Sequence, residues 1–268
     1  MTLSERIELY ENSTNFNLLN KLPLFIKISL RSFNRVSKKL EKPYCKEMAD
    51  LMSKTLLGTI SEIDNSVFGY YYFDSFNIII KNDNIKDDSS WLGNNVQKIS
   101  SVSASLATYN FYRNLKDYYD NLDIIGPVIF DCTVFPLPNM DESLNALISS
   151  QNNCTVNAIN LLSYDFYYKK YGKQEASAFL DKKNTSDRIL LLKEDFNFDI
   201  KKDCNSEFLY GIIAYKVPYI YSSNGNNLRK NKWIIDKNTS KFNDDKGFIL
   251  NILSSGHDVF RIGRDIER

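Results

Sequence analysis

Asp74 is the single acidic residue in the aromatic and aliphatic segment FGYYYFDSFNIII, residues 68–80. An ionised carboxylate that is buried without a partner is costly, so such a residue must be neutralised, solvated at a turn or bound to a metal ion. Two interpretations therefore stay open. Asp74 is either a metal ligand or an ordinary aspartate at a hairpin turn, where this residue type is common.

Asp131 is a second acid inside an otherwise apolar segment, PVIFDCTVFPLP, residues 127–138. Hard divalent cations such as Mg²⁺ prefer carboxylate oxygens as ligands, so Asp131 is a further candidate for a metal site. The alternative is a charge that pairs with a neighbouring Arg or Lys.

Two groups of polar side chains are candidates for contacts with RNA. Asn157 and Asn160 lie about one turn apart in a predicted helix, where they could bind RNA or base edges or simply form a polar surface. Arg229, Lys230 and Lys232 lie in the predicted turn NGNNLRKNK, residues 224–232. That turn has enough charge for local phosphate contact but not for sequence specificity.

Composition excludes several classes of protein. The 268 residues include 34 Lys+Arg and 33 Asp+Glu, so the net charge of +1 argues against a surface that is basic overall. Four cysteines without a C-x-x-C pair argue against a zinc knuckle, and a single histidine, His257, argues against Cys-His or Ser-His catalysis. No apolar run approaches the roughly 20 residues of a membrane helix, and the N-terminus lacks a signal peptide's pattern. We therefore expect a cytoplasmic protein without a membrane partner.

Apolar periodicity predicts the elements that must position these residues. The predicted strands are 22–30, 67–73, 75–81 and 127–138, and the predicted helices are 46–59, 98–116 and a long one that ends near residue 168. The order strand, helix, hairpin pair, helix, strand is that of the split β-α-β unit. It predicts an α+β, palm-like (ferredoxin-like) antiparallel sheet with helices on one face. In this topology positions 29, 74 and 131 converge at one end of the sheet.

A C-terminal extension follows this unit. A short helix at 174–181 and strands at 209–222 and 232–238 indicate that the extension is β-rich. The expected division of the chain is an N-terminal arm at 1–20, a palm-like domain at 21–170 and an extension at 171–268 that packs on the same domain.

Several segments resemble, in order, the motifs of tRNA-histidine guanylyltransferases and the related 3′-5′ RNA polymerases. The resemblance runs from Leu22 to Asp236. The matching segments are LPLFIKISLRSFNRVSKKLEKPYCKEMADLM, YYYFDSFNIII, QKISSVSASLATYNFY, PVIFDCTVFPLPN, SSQNNCTVNAINLL, YGKQE and NKWIIDKN. The first resembles the family pattern R-I-D-G-R-x-F-H-x-F, and the second resembles its hairpin Y-x-x-S-D-E-x-S-F.

The resemblance implies phosphoryl chemistry with two Mg²⁺ ions that carboxylates of the first strand and the hairpin turn hold about 3.5–4 Å apart. Asp74 matches the hairpin aspartate of the family. The first-strand aspartate falls on Ser29, the glycine after it on Leu30, and the glutamate after the hairpin aspartate on Ser75. A neutral hydroxyl supplies neither the charge nor the bidentate binding of a carboxylate. Asp131, next to Ser29 in the predicted sheet, could restore one carboxylate.

The resemblance also implies roles in nucleotide binding. Arg31 matches the family's arginine in the first motif, and Lys98 and Lys173 match lysines that would contact a triphosphate. Asn34 and Tyr171 stand where the family has histidines. For each lysine the alternative is an ordinary solvated charge.

These patterns favour a degenerate family member that binds nucleoside triphosphate (GTP or ATP), tRNA-like RNA or both, with catalysis weak or lost. The first alternative is an active Mg²⁺-dependent 3′-5′ nucleotidyltransferase that adds nucleotides to the 5′ end of tRNA. The second is a non-catalytic subunit or protein-interaction module. The resemblance also implies a homo-oligomer, either a dimer or a tetramer.

Overall fold

The computed structural model of the chain describes residues 1–33, 38, 40–82, 90–117, 127–223 and 226–258. The strands are β1 (Leu24–Leu30), β2 (Ser66–Tyr72), β3 (Ser75–Ile80), β4 (Phe130–Pro136), β5 (Ile212–Ser223) and β6 (Asn226–Asp236). The α-helices are α1 (Leu3–Asn12), α2 (Lys46–Ser61), α3 (Val96–Leu115), α4 (Met140–Tyr171), α5 (Lys173–Leu180), α6 (Thr185–Phe196), α7 (Ile200–Asp203), α8 (Ser206–Tyr210) and α9 (Lys246–Ser255). A short 3-10 helix spans Trp91–Asn94. Among the described helices, none combines the length and the apolar character that crossing a bilayer needs.

The strands form one sheet of six in the order β4-β1-β3-β2-β5-β6, and neighbouring strands run antiparallel. β1 lies between β3 and β4, as the split β-α-β order predicts. The β2–β3 hairpin closes through Phe73 and Asp74, because β2 ends at Tyr72 and β3 begins at Ser75. The predicted palm-like fold is therefore confirmed, and Asp74 lies at its hairpin turn.

Alternation along β1 decides which side chains meet which helices. The even-numbered residues from Leu24 to Leu30 belong to the core that α2 and α3 cover, and the odd-numbered residues, including Ser29, face the other side. We expected helices on one face. The structure also places α4 and α9 against the second face, because Phe25, Phe68 and Tyr70 make that face apolar too. The second face therefore has an apolar core and, at the end that carries Ser29, a polar corner.

The C-terminal extension continues the same sheet, because β5 pairs with β2 over Ile212–Tyr215. We expected residues 224–232 to form a basic turn, and this is wrong for most of the segment. Residues 226–232 lie in β6, where each pairs with a residue of β5. The strand-forming residues Tyr219 and Ile220 of β5 stand opposite this polar sequence, so cross-strand pairing overrides its turn-like composition.

Gly211 joins α8 to β5 at a point where the chain has no room for a side chain. Its φ is 75°, and an added Cβ would lie 2.5 Å from the carbonyl oxygen of Tyr71 and 2.5 Å from a ring carbon of Tyr70. The hydroxyl of Tyr70 donates a hydrogen bond of 3.0 Å to the carbonyl of Tyr210. This close approach holds α8 against the β2–β3 hairpin.

We expect Gly211→Ala to lower the free energy of unfolding by roughly 2–5 kcal/mol, because it combines backbone strain with overpacking. The control is Gly247→Ala in α9, where no atom lies within 4 Å of the added Cβ. That control should be neutral or more stable by up to about 1 kcal/mol. Urea unfolding of both variants checks the prediction, and equal stabilities for the two would contradict it.

Candidate functional site

Two hydroxyls and one carboxylate form a hydrogen-bonded chain at the end of the sheet. The Ser29 and Ser75 hydroxyls lie 3.1 Å apart on paired positions of β1 and β3, and the Ser75 hydroxyl donates to Asp74 Oδ1 at 3.0 Å. A serine has only one proton to donate. Since Ser75 gives its proton to Asp74, Ser29 must donate to Ser75.

The backbone fixes this corner from both sides. The amide of Leu30 donates to the Asp74 carbonyl at 2.8 Å, and the amide of Arg31 donates to the Ile129 carbonyl at 2.9 Å. Phe73 has a φ of 50°, which is uncommon for a bulky residue, and its ring packs edge-on against Phe208. The turn that presents Asp74 is therefore held by strand pairing and by a buried aromatic contact.

Asp131 stands directly opposite Ser29 in the β1–β4 register, and its side chain is exposed. Paired residues on antiparallel strands point to the same face with Cβ atoms about 4.5–5.5 Å apart. The predicted convergence of positions 29, 74 and 131 at one end of the sheet is thus confirmed. Asp131 flanks the hydroxyl chain on the side away from Asp74.

A cavity of about 480 Å³ opens beside Asp74. Three parts of the chain enclose it: the segment before α2, the β2–β3 turn, and one side of α4 together with α8. Its lining residues are Phe33, Leu40, Glu41, Lys42, Pro43, Tyr44, Cys45, Met48, Tyr71, Phe73, Asp74, Cys154, Asn157, Asn160, Leu161, Glu207 and Phe208. The structure therefore brings the two predicted asparagines of α4 into the same cavity as Asp74.

Aromatic rings form much of the cavity wall. Phe208 is 5.2 Å from the Tyr44 ring and 5.9 Å from the Phe73 ring, between centroids. Cys154, on α4, points its thiol at the Phe208 carbonyl at 3.8 Å. Flat apolar walls with a few amides and carboxylates are typical of a pocket for a planar polar ring.

Burial keeps the tyrosine phenols and the Cys154 thiol of the wall neutral. Burial raises the pKa of Tyr44 far above its ordinary value, and the nearby Glu207 carboxylate raises it further. Burial also raises the pKa of Tyr71 well above its ordinary value, with Cys154 and then Asp74 adding to the effect, and raises the pKa of the Cys154 thiol to about 12. At neutral pH these groups are therefore protonated and contribute no negative charge.

The charged residues of the cavity are mostly acidic. Among the described residues that line it are the carboxylates of Glu41, Asp74 and Glu207 and one ammonium group, that of Lys42. Phosphate groups inside the cavity would be repelled by this excess. The described part of the cavity wall is therefore better suited to an uncharged ring system than to phosphate groups.

The residues present do not fit the two Mg²⁺ ions that the resemblance implies. Ser29 and Ser75 offer neutral oxygens, and their hydroxyl protons are already committed to the chain that ends at Asp74. Within the described ranges, no group of three or more His, Cys, Asp or Glu side chains could hold a metal ion. One firmly placed carboxylate, Asp74, is too little anionic charge for two hard cations.

The structure does not bring the other candidates into the cavity. Lys98 is exposed in the first turn of α3, which packs on the sheet face opposite Ser29. Arg31 is exposed just after β1, at the same end of the sheet as Asp74. Asn34 lies outside the described residues.

The basic residues of the C-terminal half lie further away. Lys173 is exposed in the first turn of α5, and Tyr171 before it lies about 16 Å along α4 from Asn160 at 1.5 Å per residue. Lys232 pairs with Val217, about 17 Å along β5 from Ile212 at about 3.4 Å per residue. This direction leads away from the Asp74 turn. Lys230 lies further in the same direction, and of Arg229 only the backbone is described.

Sequence reasoning missed the aromatic and acidic residues that line the cavity. Tyr44 follows the cis peptide Lys42–Pro43, and Glu207 and Phe208 lie in the short α8. None of them belongs to a periodic pattern in the sequence. They reach the cavity through tertiary packing of segments more than 100 positions apart in the sequence.

We predict that Ser29→Asp makes the stability of the protein depend on divalent cations. The new carboxylate would lie beside Asp131 and near Asp74, so repulsion should cost about 1–3 kcal/mol in EDTA and lower the melting temperature by several degrees. Mn²⁺ should restore that loss by binding the carboxylates. Thermal unfolding in EDTA and in Mn²⁺ checks this.

Ser29→Asn is the matched control, because it has the shape of aspartate without the charge. Neither this control nor the wild-type protein should respond to Mn²⁺. A wild-type melting temperature that rises by several degrees in Mn²⁺ would show that the serine-lined corner already binds the cation.

Comparisons with known proteins agree with this geometry. The family model described as "Thg1: tRNAHis guanylyltransferase" matches residues 4–138. A bacterial tRNA(His) guanylyltransferase (Thg1)-like protein, solved in complex with ATP, aligns with a TM-score of 0.78 and 23% identity over 94% of this chain and 99% of that chain. A bacterial tRNA(His) guanylyltransferase (Thg1)-like protein in complex with GTP aligns with a TM-score of 0.71 and 23% identity over 94% of this chain and 98% of that chain.

A more distant relative has the same fold. The Saccharomyces cerevisiae tRNA(His) guanylyltransferase aligns with a TM-score of 0.67 and 14% identity over 82% of this chain and 93% of that chain. No curated protein matches the chain closely enough to count as a relative. With half of its length matched by the family model and its motifs in the family's order, the chain belongs to the tRNAHis guanylyltransferase (Thg1) family.

Proposed function

We propose that this chain is a degenerate member of its family that binds a nucleoside triphosphate, tRNA-like RNA or both, while phosphoryl transfer is weak or lost. The hydroxyl chain from Ser29 through Ser75 to Asp74 carries this proposal. It occupies the corner where the family resemblance implies carboxylates, and its hydrogen bonds are satisfied without a cation. A cytoplasmic location and a homo-oligomeric state stay predictions from the sequence.

The cavity supports nucleotide binding with the base inside. The rings of Tyr44, Phe73 and Phe208 offer apolar contact to a base, and the amides of Asn157 and Asn160 offer donors and acceptors to its edge. The excess of carboxylates keeps the phosphates outside the cavity. Arg31, exposed at the same end of the sheet, supplies positive charge there. ATP and GTP, the ligands of the bacterial relatives, are therefore the ligands to test first.

The magnitude of the lost metal charge favours weak or absent catalysis. Phosphoryl transfer depends mostly on positioning and on electrostatic stabilisation by the metal ions and their ligands. Losing several kcal/mol of that stabilisation slows the reaction by roughly 10³-fold or more, since each 1.4 kcal/mol is about tenfold in rate.

One observation favours a second candidate, the active Mg²⁺-dependent 3′-5′ nucleotidyltransferase. Asp131 is placed opposite Ser29, so its carboxylate is near the position that the lost acid would occupy. If Asp131 and Asp74 shared a metal ion, the corner would regain part of its charge. The two candidate functions therefore predict different effects of removing the Asp131 carboxylate on the rate of tRNA extension.

We predict that the protein binds GTP or ATP saturably in calorimetry but extends 5′-truncated tRNA at least about 10³-fold more slowly than an active family member. Labelled nucleoside triphosphates with Mg²⁺ or Mn²⁺ give the extension rate. Asn157→Ala should weaken nucleotide binding, because it removes an amide from the cavity wall.

The controls are Asp74→Asn and Asp131→Asn. Extension at ordinary speed that both substitutions abolish would establish the second candidate and overturn the proposal. The absence of any triphosphate or RNA binding would overturn both and leave the role of a non-catalytic subunit.

A further inference from the structure

One stripe of large side chains on α4 stays exposed. Leu161, Tyr164, Tyr168 and Tyr171, here called the tyrosine stripe, have exposed fractions of 41%, 36%, 48% and 44%. Their spacing of three, four and three residues puts them on one side of the helix. The other side of the same turns is buried, with Ala158 and Leu162 in a core that α6, α7 and α8 complete. The stripe is therefore a fixed surface rather than a mobile one.

The tyrosine stripe begins at the candidate nucleotide site. Leu161, its first residue, lines the cavity together with Asn157 and Asn160. From there the stripe runs to Tyr171, about 15 Å at 1.5 Å per residue. A chain molecule whose end lies in the cavity could therefore follow α4 without leaving its surface.

The rings of the stripe form a stacking surface. Tyr164 and Tyr168 stack on each other with centroids 6.0 Å apart and an interplanar angle of 25°. Tyr171 stacks on the exposed Phe179 of α5 with centroids 6.4 Å apart and an angle of 6°. Nucleic-acid bases stack on exposed aromatic rings of this kind whatever their sequence.

The charge near the far end of the stripe favours a polyanion over a neutral apolar partner. The ammonium of Lys170 lies between two rings, 5.0 Å from the centre of the Tyr171 ring and 4.9 Å from that of Phe196, and Lys173 is exposed just beyond Tyr171. Lys169 pairs with Asp165 at 2.7 Å, so that pair adds no net charge. Aromatic rings with adjacent basic groups are typical of surfaces that bind single-stranded nucleic acid.

We propose that the tyrosine stripe binds a single-stranded RNA segment whose end enters the cavity. Bases stack on Tyr164 and Tyr168, and backbone phosphates lie near Lys170 and Lys173. This rests on the proposed function of the cavity and extends it. It gives Lys173 a role in RNA binding, since it lies too far along α4 to reach a triphosphate beside Asp74.

The test uses the full chain, a fluorescein-labelled single-stranded RNA and fluorescence anisotropy. The Tyr164→Ala/Tyr168→Ala variant should raise the Kd for RNA at least tenfold, since it removes both rings on which bases stack. Its affinity for GTP or ATP in calorimetry should stay unchanged. Tyr164→Phe/Tyr168→Phe keeps the rings and should bind RNA like the wild type.

The matched control is Val102→Ala/Tyr109→Ala. These residues form an exposed apolar stripe on α3, with exposed fractions of 36% and 61%, on the side of the sheet away from Ser29 and Ser75. This control should bind RNA like the wild type. Lys170→Gln/Lys173→Gln should weaken RNA binding and flatten its dependence on salt, because two phosphate contacts are lost.

Each possible result of these measurements either supports or overturns the proposal for the tyrosine stripe. A smaller rise in Kd than tenfold for the double alanine variant, or an equal rise for the α3 control, overturns the proposal while nucleotide binding can stand. A change of sedimentation with unchanged RNA affinity would identify the stripe as an interface with a second copy and also overturns it. If the wild type binds triphosphate but no single-stranded RNA, the stripe proposal fails alone; if it binds neither, the proposed function fails with it.

Discussion

The hydrogen bond between Ser29 and Ser75 decides what the rest of this structure can do. It spans β1 and β3 at the point where a palm-like sheet presents its side chains to a ligand. Two carboxylates at these positions would repel each other and would need a cation between them. Two hydroxyls instead bind each other and then Asp74, so β1 and β3 need no cation between these two positions. Under the proposed function, the fold is thus kept while the demand for metal is removed.

The strands, the hairpin turn and the cavity around this corner form an ordered site that could hold a ligand. The sheet register holds Ser29, Ser75 and Asp131 on one face, and the buried contact between Phe73 and Phe208 fixes the turn. The cavity beside the turn has aromatic walls, amides and an excess of carboxylates. Under the proposed function, recognition of a base and chemistry on a phosphate are carried by different atoms, so the second could be lost while the first is kept.

Much of this arrangement could be predicted from the sequence, because local patterns determine it. The apolar, β-branched run at 22–30 predicted β1, and the position of Asp74 between two apolar runs predicted the hairpin. The strand order then placed positions 29, 74 and 131 together. The cavity could not be predicted in this way, since Tyr44 and Glu207 meet through tertiary packing. Residues 226–232 were predicted as a turn because their composition is polar, and pairing with β5 overrides that composition. Helix α6 was overlooked although its capping box, Asn184 with Asp187, is visible in the sequence.

The most direct test of the central claim is anomalous diffraction from crystals soaked with Mn²⁺ and GTP. The account predicts that no Mn²⁺ ion is bound by protein carboxylates between β1 and β3. Any Mn²⁺ ion in the crystal should be held by the phosphates of the nucleotide. Two anomalous peaks about 3.5–4 Å apart, both within bonding distance of Asp74 and one also bound by Asp131, would contradict it.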